Sequence, residues 1–316
     1  MPTVAVAGGT GHIGRALVEA IQGAGKHKVL ILSRQPNPEL EGELGAPIIV
    51  VDYSNVEDLA KILEHNDVHT VVSALNMMPI PGGPAPSEIP LIRAANASKV
   101  TKRIVSSDWG FPHTPENAAG LSSVGPKLEA QAVLKTTENI VSTVVQNGYF
   151  MDYWGVPVVK SYMQPSTSVL DIPNAAAGIP GTGNEPIIFS HTTDVAKFVA
   201  ALLDSDEWDP VSYVVGDKLT WNEFLRLAEE VRGVKFEVAY DSIEKLRNGE
   251  ITELPGQVAI YPFYPKEALQ KVLAGIECFM AEGAFDYKTP TTLNEKFPEI
   301  RPLKVKDMLQ KAWSKA

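Results

Sequence analysis

A glycine-rich segment near the N-terminus is the first place where residue type and spacing suggest chemistry. Residues 8–14 read Gly-Gly-Thr-Gly-His-Ile-Gly and lie between an apolar run, predicted as a strand, and a helical segment. Glycines at this spacing let the backbone turn tightly and approach a diphosphate, while the start of the helix offers free N–H groups. The pattern therefore predicts a dinucleotide site, although an ordinary tight turn is the alternative. The predicted cofactor contacts here are Gly8, Thr10, Gly11, His12, Ile13 and Gly14.

The end of the second predicted strand indicates which dinucleotide binds. A carboxylate about 20 residues past such a loop selects NAD, whereas an arginine accommodates the 2′-phosphate of NADP. This position reads Ser33-Arg34-Gln35, and no carboxylate precedes Glu39. We therefore expect NADPH to be preferred over NADH, with Arg34 as the phosphate contact. The alternative for Arg34 is a loop cation in water.

Further cofactor contacts are predicted at the carboxyl ends of the other strands, because ligands of open parallel sheets bind there. Asp52 and Tyr53 follow the third strand and could border the adenine, although Asp52 could equally cap the next helix. The remaining predicted contacts are Ser73, Ala74, Leu75 and Asn76 after the fourth strand, Ser106 and Ser107 after the fifth, and Asn147, Tyr149 and Phe150 after the sixth.

A lysine in the helix after the fifth strand is the main candidate for catalysis. In ordinary short-chain dehydrogenases this helix carries Tyr-x-x-x-Lys, in which the tyrosine donates a proton and the lysine holds the nicotinamide ribose. Here Ser123 occupies the tyrosine position, Lys127 persists, and the chain contains no Tyr-x-x-x-Lys. We therefore expect Lys127, or a group on the substrate, to deliver any proton. The alternative is a lysine facing water, although a cation is mildly unfavourable in the first turn of a helix.

His113, in the loop after the fifth strand, is a second candidate proton carrier, with a loop hydrogen-bonding role as the alternative. Aromatic and methionine side chains are concentrated in the loops that should converge above the nicotinamide. Such residues line pockets for planar, largely apolar ligands, although each could equally pack in a core. The predicted substrate contacts are Met77, Met78, Trp109, Phe111, Tyr153 and Trp154. The proline-rich stretch from Pro79 to Pro90 follows the two methionines in the sequence.

The elements that must position these residues alternate along the first half of the chain. Short apolar runs, predicted as strands, are separated by helix-length segments, which indicates a parallel sheet covered on both faces. The predicted fold class is α/β, a Rossmann-type doubly wound parallel sheet with a smaller, interleaved α+β substrate-binding cap. Residues 1–155 and 186–216 are assigned to the NAD(P)-binding domain, and residues 156–185 and 217–316 to the cap. We expect a strand at 187–189 and the helix that follows it to rejoin the sheet layer.

Composition narrows the class of function. The 316 residues include 28 Lys and Arg against 38 Asp and Glu, and the resulting net charge of −10 argues against a nucleic-acid or anionic-membrane partner. The single cysteine, Cys278, excludes an internal disulfide and is typical of a reducing compartment. We expect a cytoplasmic monomer or homodimer acting on a small molecule, with no membrane segment and no metal, since His65 and His69 lack a third ligand.

Taken together, these residues resemble the NmrA-like and isoflavone reductase-like branch of the atypical short-chain dehydrogenases. The resemblance rests on the glycine loop, Arg34, Lys127 and the turn at 107–110, with support from the segments 147–151 and 191–196. It implies an NADPH cofactor and a role for Lys127 in hydride transfer to an aromatic substrate. Residues 106–110 read Ser-Ser-Asp-Trp-Gly rather than the Pro-Ser-Glu-Phe-Gly usual in those reductases, so the resemblance does not specify the substrate.

The leading hypothesis is an NADPH-dependent oxidoreductase that reduces a small, aromatic or polyketide-like metabolite, with Lys127 binding the cofactor and assisting at the substrate oxygen or at the ribose. Two alternatives remain open. One is a redox-sensing regulatory protein that binds NADP(H) without turnover. The other is a dehydratase or isomerase that holds the cofactor without net redox chemistry.

Overall fold

The computed structural model describes residues 1–78, 88–115, 120–288 and 291–314. The strands are β1 (Thr3–Ala7), β2 (Lys28–Ser33), β3 (Ile48–Val50), β4 (Val68–Ser73), β5 (Arg103–Gly110), β6 (Val141–Gln146), β7 (Tyr149–Phe150), β8 (Leu170–Asp171), β9 (Ala176–Pro180), β10 (Pro186–Ser190), β11 (Val211–Tyr213), β12 (Asp217–Thr220) and β13 (Glu237–Asp241). The helices are α1 (His12–Ala24), α2 (Pro38–Leu44), α3 (Val56–His65), α4 (Ile89–Ala97), α5 (Val124–Leu134), α6 (Thr192–Leu202), α7 (Trp221–Arg232), α8 (Ile243–Arg247), α9 (Lys266–Ala281), α10 (Leu293–Lys296) and α11 (Val305–Trp313). Most of the predicted proline-rich stretch from Pro79 to Pro90 lies outside the described residues.

Seven parallel strands form the main sheet, in the order β11-β6-β5-β4-β1-β2-β3. Successive residues of β1 point to opposite faces, so Val4 packs with α1 and α6, whereas Ala5 packs in a second core with α3, α4 and α5. Burial on both faces explains why the strands are continuously apolar rather than alternating. The predicted doubly wound sheet is confirmed.

The strand order places a crevice at the carboxyl end of the sheet. Connections from β1 lead to β2 on one side, whereas β4 flanks β1 on the other, and ligands of open sheets bind where the order reverses in this way. Ala7 pairs with both Leu32 and Ser73, so the segments that follow β1, β2 and β4 emerge at the same edge. Gly8 has φ +75°, and a Cβ on it would lie 2.8 Å from the carbonyl oxygen of Ala74. The fold thus gathers the predicted cofactor residues that follow β1, β2 and β4 at the carboxyl end of the main sheet.

Two further three-stranded sheets, β12-β10-β7 and β13-β9-β8, lie apart from the main sheet, and they combine strands of the predicted cap with β7 and β10 of the predicted NAD(P)-binding domain. The hydrophobic residues packed around them form the cap core. The expectation that residues 187–189 rejoin the main sheet is wrong, because β10 pairs with β7 and β12 instead. The reason is side-chain packing: Phe189 lies in the cap core, with ring centroids 5.0 Å from Trp221 and 5.3 Å from Phe224. The helix of that prediction, α6, does return to the main sheet layer, where it packs on α1. The proposed division into domains at residues 155, 186 and 216 remains a prediction.

Candidate cofactor and active site

The glycine loop fits a diphosphate by its shape. A Cβ on Gly14 would collide with the carbonyl oxygen of Gly8, so α1 packs directly on the loop only because this residue is glycine. A Cβ on Gly11 would meet no atom within 4 Å, so this part of the loop faces open space. Gly11 is also the N-cap of α1 and supplies no side-chain acceptor, so the first N–H groups of the helix are available to an anion.

A cleft of about 640 Å³ lies against this loop. Its near wall includes Thr10, Gly11 and His12. The facing wall is formed by residues 156–165, which follow β6 and β7 in the chain. The loop geometry and the open cleft together accommodate the diphosphate part of a dinucleotide. Ile13 is buried in the core beneath the loop, so it supports the loop and does not line the cleft.

The carboxyl ends of β2 and β3 form the second part of the predicted cofactor site. Arg34 is exposed after β2, and no ion pair to it forms within the described ranges. The Tyr53 hydroxyl donates to the carbonyl oxygen of Leu32 at 2.8 Å, and burial raises the pKa of Tyr53. Asp52 accepts hydrogen bonds from the backbone N–H of Ser54 at 2.8 Å and from its hydroxyl at 2.7 Å, which lower the pKa of Asp52. Asp52 does not cap the following helix, because Asn55 does so through Asp58 N–H.

A buried carboxylate that sequence reasoning missed organises the ends of β4 and β5. Glu88 accepts hydrogen bonds from the Ser106 hydroxyl at 2.6 Å and from the backbone N–H of Ser107 at 2.9 Å. The Ser107 hydroxyl donates to the carbonyl oxygen of Leu75 at 2.7 Å. Glu88 is 0% exposed, and burial raises its pKa. Both predicted cofactor serines therefore have protein partners, and they fix the strand ends on which the site is built.

The carboxyl-terminal end of β5 carries a compact charged cluster. The strand continues through Gly110, so the prediction of a turn at 107–110 is wrong. The Lys127 ammonium donates to the carbonyl oxygen of Trp109 at 3.2 Å and lies 3.7 Å from Asp108 Oδ1. His113 Nε2 lies 3.0 Å from the same Oδ1, although neither ring nitrogen has an aligned hydrogen-bond partner among the described residues. The Lys127 side chain is only 12% exposed, and those of Asp108 and His113 are 2% and 1% exposed. Lys127 therefore does not face water.

The electrostatics of this cluster suit proton transfer. Burial lowers the pKa of Lys127, and the Asp108 carboxylate opposes that shift. Burial also lowers the pKa of His113, so its imidazole is neutral near pH 7. The second oxygen of Asp108 accepts hydrogen bonds from the side-chain amides of Gln131 and Gln146. Asp108 is thus held in place beside the Lys127 ammonium, where its carboxylate favours the charged form.

The segment after β6 connects the sheet to the cap. The Asn147 side chain is fully buried, and its backbone N–H donates to the carbonyl oxygen of Gly110 at 2.9 Å, which joins the ends of β5 and β6. Tyr149 and Ser168 share a hydrogen bond of 3.1 Å, and burial raises the pKa of Tyr149 to about 12. Phe150 packs against the core below the sheet edge. The Asn147 bond thus holds the end of β6 beside the end of β5, which carries the charged cluster.

The predicted substrate residues occupy several environments. Phe111 lies in the cap core, with ring centroids 5.3 Å from Phe279 and 4.4 Å from Phe285. The Trp154 indole donates to the carbonyl oxygen of Leu170 at 3.0 Å. The Trp109 indole donates to a β4 carbonyl, Met77 is buried, and Met78 is half-buried. Core packing thus accounts for much of this predicted aromatic wall.

A second, mainly apolar groove of about 620 Å³ is lined by Tyr153 and Trp154. It adjoins the glycine-loop cleft, because Val156, Gln164 and Pro165 line both. Its remaining walls come largely from segments that the sequence had not singled out: Ser166, Thr167, Leu170, Asp171, Ile172, Pro173, Gly256, Ala259, Ile260, Phe263, Tyr264 and Trp313. Elsewhere in the described parts of the chain, no three His, Cys, Asp or Glu side chains are grouped to hold a metal ion, and no helix is long and apolar enough to span a membrane.

Comparisons with known proteins agree with this architecture. A family model described as the NmrA-like family matches residues 1–297. Oxidoreductase BOA1 of Botryotinia fuckeliana is 32% identical over 302 residues, which cover 96% of this chain and 96% of that protein. Oxidoreductase swnN of Metarhizium robertsii is also 32% identical, over 99% of this chain and 98% of its own. The solved structure of AtPrR2 with NADP+ and (+)pinoresinol shares the fold with a TM-score of 0.72 at 21% identity, over 98% of each chain.

Proposed function

The chain belongs to the NmrA-like family and is an oxidoreductase, and we propose that it reduces a small aromatic or polyketide-like metabolite with NADPH. The observation that carries this proposal is the buried ammonium of Lys127, held by Trp109 and Asp108 at the same carboxyl end of the main sheet as the glycine loop. A binding site for the dinucleotide and a shielded proton donor at one end of the sheet are the two parts that a reductase requires.

NADPH is the proposed cofactor rather than NADH. Arg34 is exposed at the end of β2 and has no competing carboxylate partner within the described ranges, so its guanidinium is available to a 2′-phosphate. The glycine loop and the N-terminus of α1 would hold the diphosphate. The structural neighbour AtPrR2 was solved with NADP+, which supports the same choice.

In the proposed reaction, bound NADPH supplies a hydride to an electrophilic carbon of the substrate. Lys127 holds a proton at the substrate oxygen, or at the atom that gains electron density, and gives it up as charge develops there. The carbonyl oxygen of Trp109 and the carboxylate of Asp108 orient the ammonium and keep it charged. One hydride and one proton add to the substrate, so the product gains two hydrogens.

The apolar groove beside the cleft is the proposed substrate site. Aromatic side chains, including Tyr153, Phe263 and Tyr264, line it, and its few polar groups include Gln164 and Thr167. Apolar walls with few polar contacts suit a planar molecule with a small number of oxygen functions. Because the groove adjoins the cofactor cleft, a ligand there extends toward the dinucleotide.

Steady-state oxidation of NADPH with a panel of quinones and aromatic ketones tests this function. Lys127→Ala should lower kcat at least about 100-fold, the usual contribution of a general acid. Lys135→Ala provides a matched control, because Lys135 is exposed at the other end of the same helix and its loss should leave kcat unchanged. Undiminished turnover in Lys127→Ala rejects the catalytic role. Tight NADPH binding without consumption across the panel favours a sensor, and a product of unchanged mass favours an isomerase.

A further inference from the structure

The segment opposite the glycine loop, residues 156–165, brings positive charge to the cofactor cleft. Arg15, one residue past the last glycine of the loop, and Lys160 both line the cleft, together with His12. None of the residues lining it, all within the described ranges, is Asp or Glu. In a chain with a net charge of −10, a cleft lining with two cations and no carboxylate favours an anionic ligand.

Both cations are paired with carboxylates that lie outside the cleft lining. Arg15 Nη2 pairs with Glu43, and Lys160 Nζ lies 2.8 Å from Glu19. One side chain of each pair is well exposed, Glu43 at 57% and Lys160 at 67%, against 21% for Arg15 and 32% for Glu19, and solvent at the exposed partner weakens each pair. Arg15 Nε is buried and has no hydrogen-bond partner within the described residues. One buried donor is thus still unsatisfied at the edge of the cleft.

Contacts at the centre of the segment fix it relative to the loop. The Tyr162 hydroxyl donates to Glu19 of α1, and the guanidinium carbon of Arg15 lies 4.2 Å from the centroid of the Tyr162 ring. The Ser161 hydroxyl donates to Asp152, whose carboxylate also accepts the backbone N–H of Thr192 at the start of α6. The segment is therefore anchored to two helices of the cofactor-binding layer, with Lys160 beside these anchors.

We propose that Arg15 and Lys160 bind the diphosphate of the dinucleotide opposite the loop N–H groups, each exchanging its carboxylate for a phosphate oxygen. Residues 156–165 then form a strap across the diphosphate, with Tyr162 supporting Arg15. The inference rests on the proposed function, since it requires that the protein bind NADP(H). It adds two binding residues that the glycine pattern does not specify.

The assignment of Arg15 and Lys160 to the diphosphate is tested by equilibrium binding of NADPH and of NADH, measured from the change in cofactor fluorescence. Arg15→Gln should raise both Kd values by the same factor, roughly tenfold, and Lys160→Gln should raise both by a smaller factor. Lys26→Gln is the matched control, because Lys26 is 64% exposed and pairs with Asp204 at 2.8 Å but does not line the cleft. Its affinity for both dinucleotides should equal that of the wild type.

Removal of the competing carboxylate provides a test in the opposite direction. Glu43→Gln frees Arg15 and should lower both Kd values about two- to fivefold, and this gain should vanish in Arg15→Gln/Glu43→Gln. Unchanged Kd values in both cation variants overturn the inference, and a loss confined to NADPH overturns it in favour of contacts to the 2′-phosphate. If the wild type binds neither dinucleotide, the proposed function itself fails before any variant is compared.

Discussion

Replacing Asp108 with asparagine should move the alkaline limit of activity to lower pH. Asp108 Oδ1 lies 3.7 Å from the Lys127 ammonium, and two unit charges at about that distance attract by about 4 kcal/mol at an effective dielectric constant of roughly 20. This figure is an upper bound, because Lys127 is 12% exposed and water screens part of the attraction. One third of it, about 1.4 kcal/mol, already corresponds to one pH unit.

The direction of this pH shift follows from the protonation state that the reaction needs. Lys127 acts as a proton donor only while charged, so activity falls as pH rises through its pKa. Burial already lowers that pKa, and loss of the Asp108 carboxylate removes the larger of the two carboxylate contributions that oppose the shift, the other being that of Glu88. In Asp108→Asn the alkaline limb of the kcat profile should therefore move down by about one pH unit or more.

The assay is kcat against pH for NADPH oxidation, with wild type, Asp108→Asn and a matched control. Asp241→Asn provides that control, because Asp241 is a buried carboxylate paired with Lys245 at 2.6 Å, far along the chain in the cap. Both variants should lower Tm, but only Asp108→Asn should shift the alkaline limb. A Tm loss in Asp108→Asn with an unshifted limb would refute the electrostatic reasoning and leave Asp108 a structural residue.

Three further variants test separate parts of the account. Arg34→Ala should raise KM for NADPH far more than for NADH, and equal effects on both would contradict the 2′-phosphate assignment. Gly11→Ala should keep Tm close to the wild-type value, because its Cβ meets no neighbour, yet raise the Kd for NADPH about tenfold or more, since the new methyl group faces the cleft. Trp154→Ala should lower the free energy of unfolding by about 3–5 kcal/mol in a denaturant titration, as expected of a core aromatic, whereas an unchanged midpoint would identify Trp154 as chiefly a ligand contact.

The positions of the glycine loop and of Lys127 in the fold could be predicted because their signals are local. The loop is recognised from the apolar run before it and the helix after it, and α1 begins at His12 as that reading requires. Lys127 was identified by its distance from the end of β5, and parallel strand order places it at the sheet edge. Neither inference needed a contact between residues far apart in sequence.

Other parts of the site depend on long-range partners that composition does not specify. Glu88 precedes an Ile-Pro pair, which in the sequence is typical of a carboxylate in a loop. In the fold it is buried and accepts a hydrogen bond from Ser106 of β5. Phe111 has the composition of a pocket wall, and only the positions of Phe279 and Phe285 identify it as a core residue. The pairing of β10 with β7 and β12 was missed for the same reason, since an apolar run does not name its partner strand.

The central claim is that this chain transfers a hydride from NADPH and that Lys127 supplies the accompanying proton. The most direct test uses NADPH deuterated at C4, on each face in turn, with mass spectrometry of the product of an accepted aromatic substrate. One of the two labelled cofactors should pass its deuterium to a product that has gained two hydrogens in total, and Lys127→Ala should lose this transfer while Lys135→Ala retains it. A product with no deuterium from either cofactor, or full transfer in Lys127→Ala, would contradict the central claim.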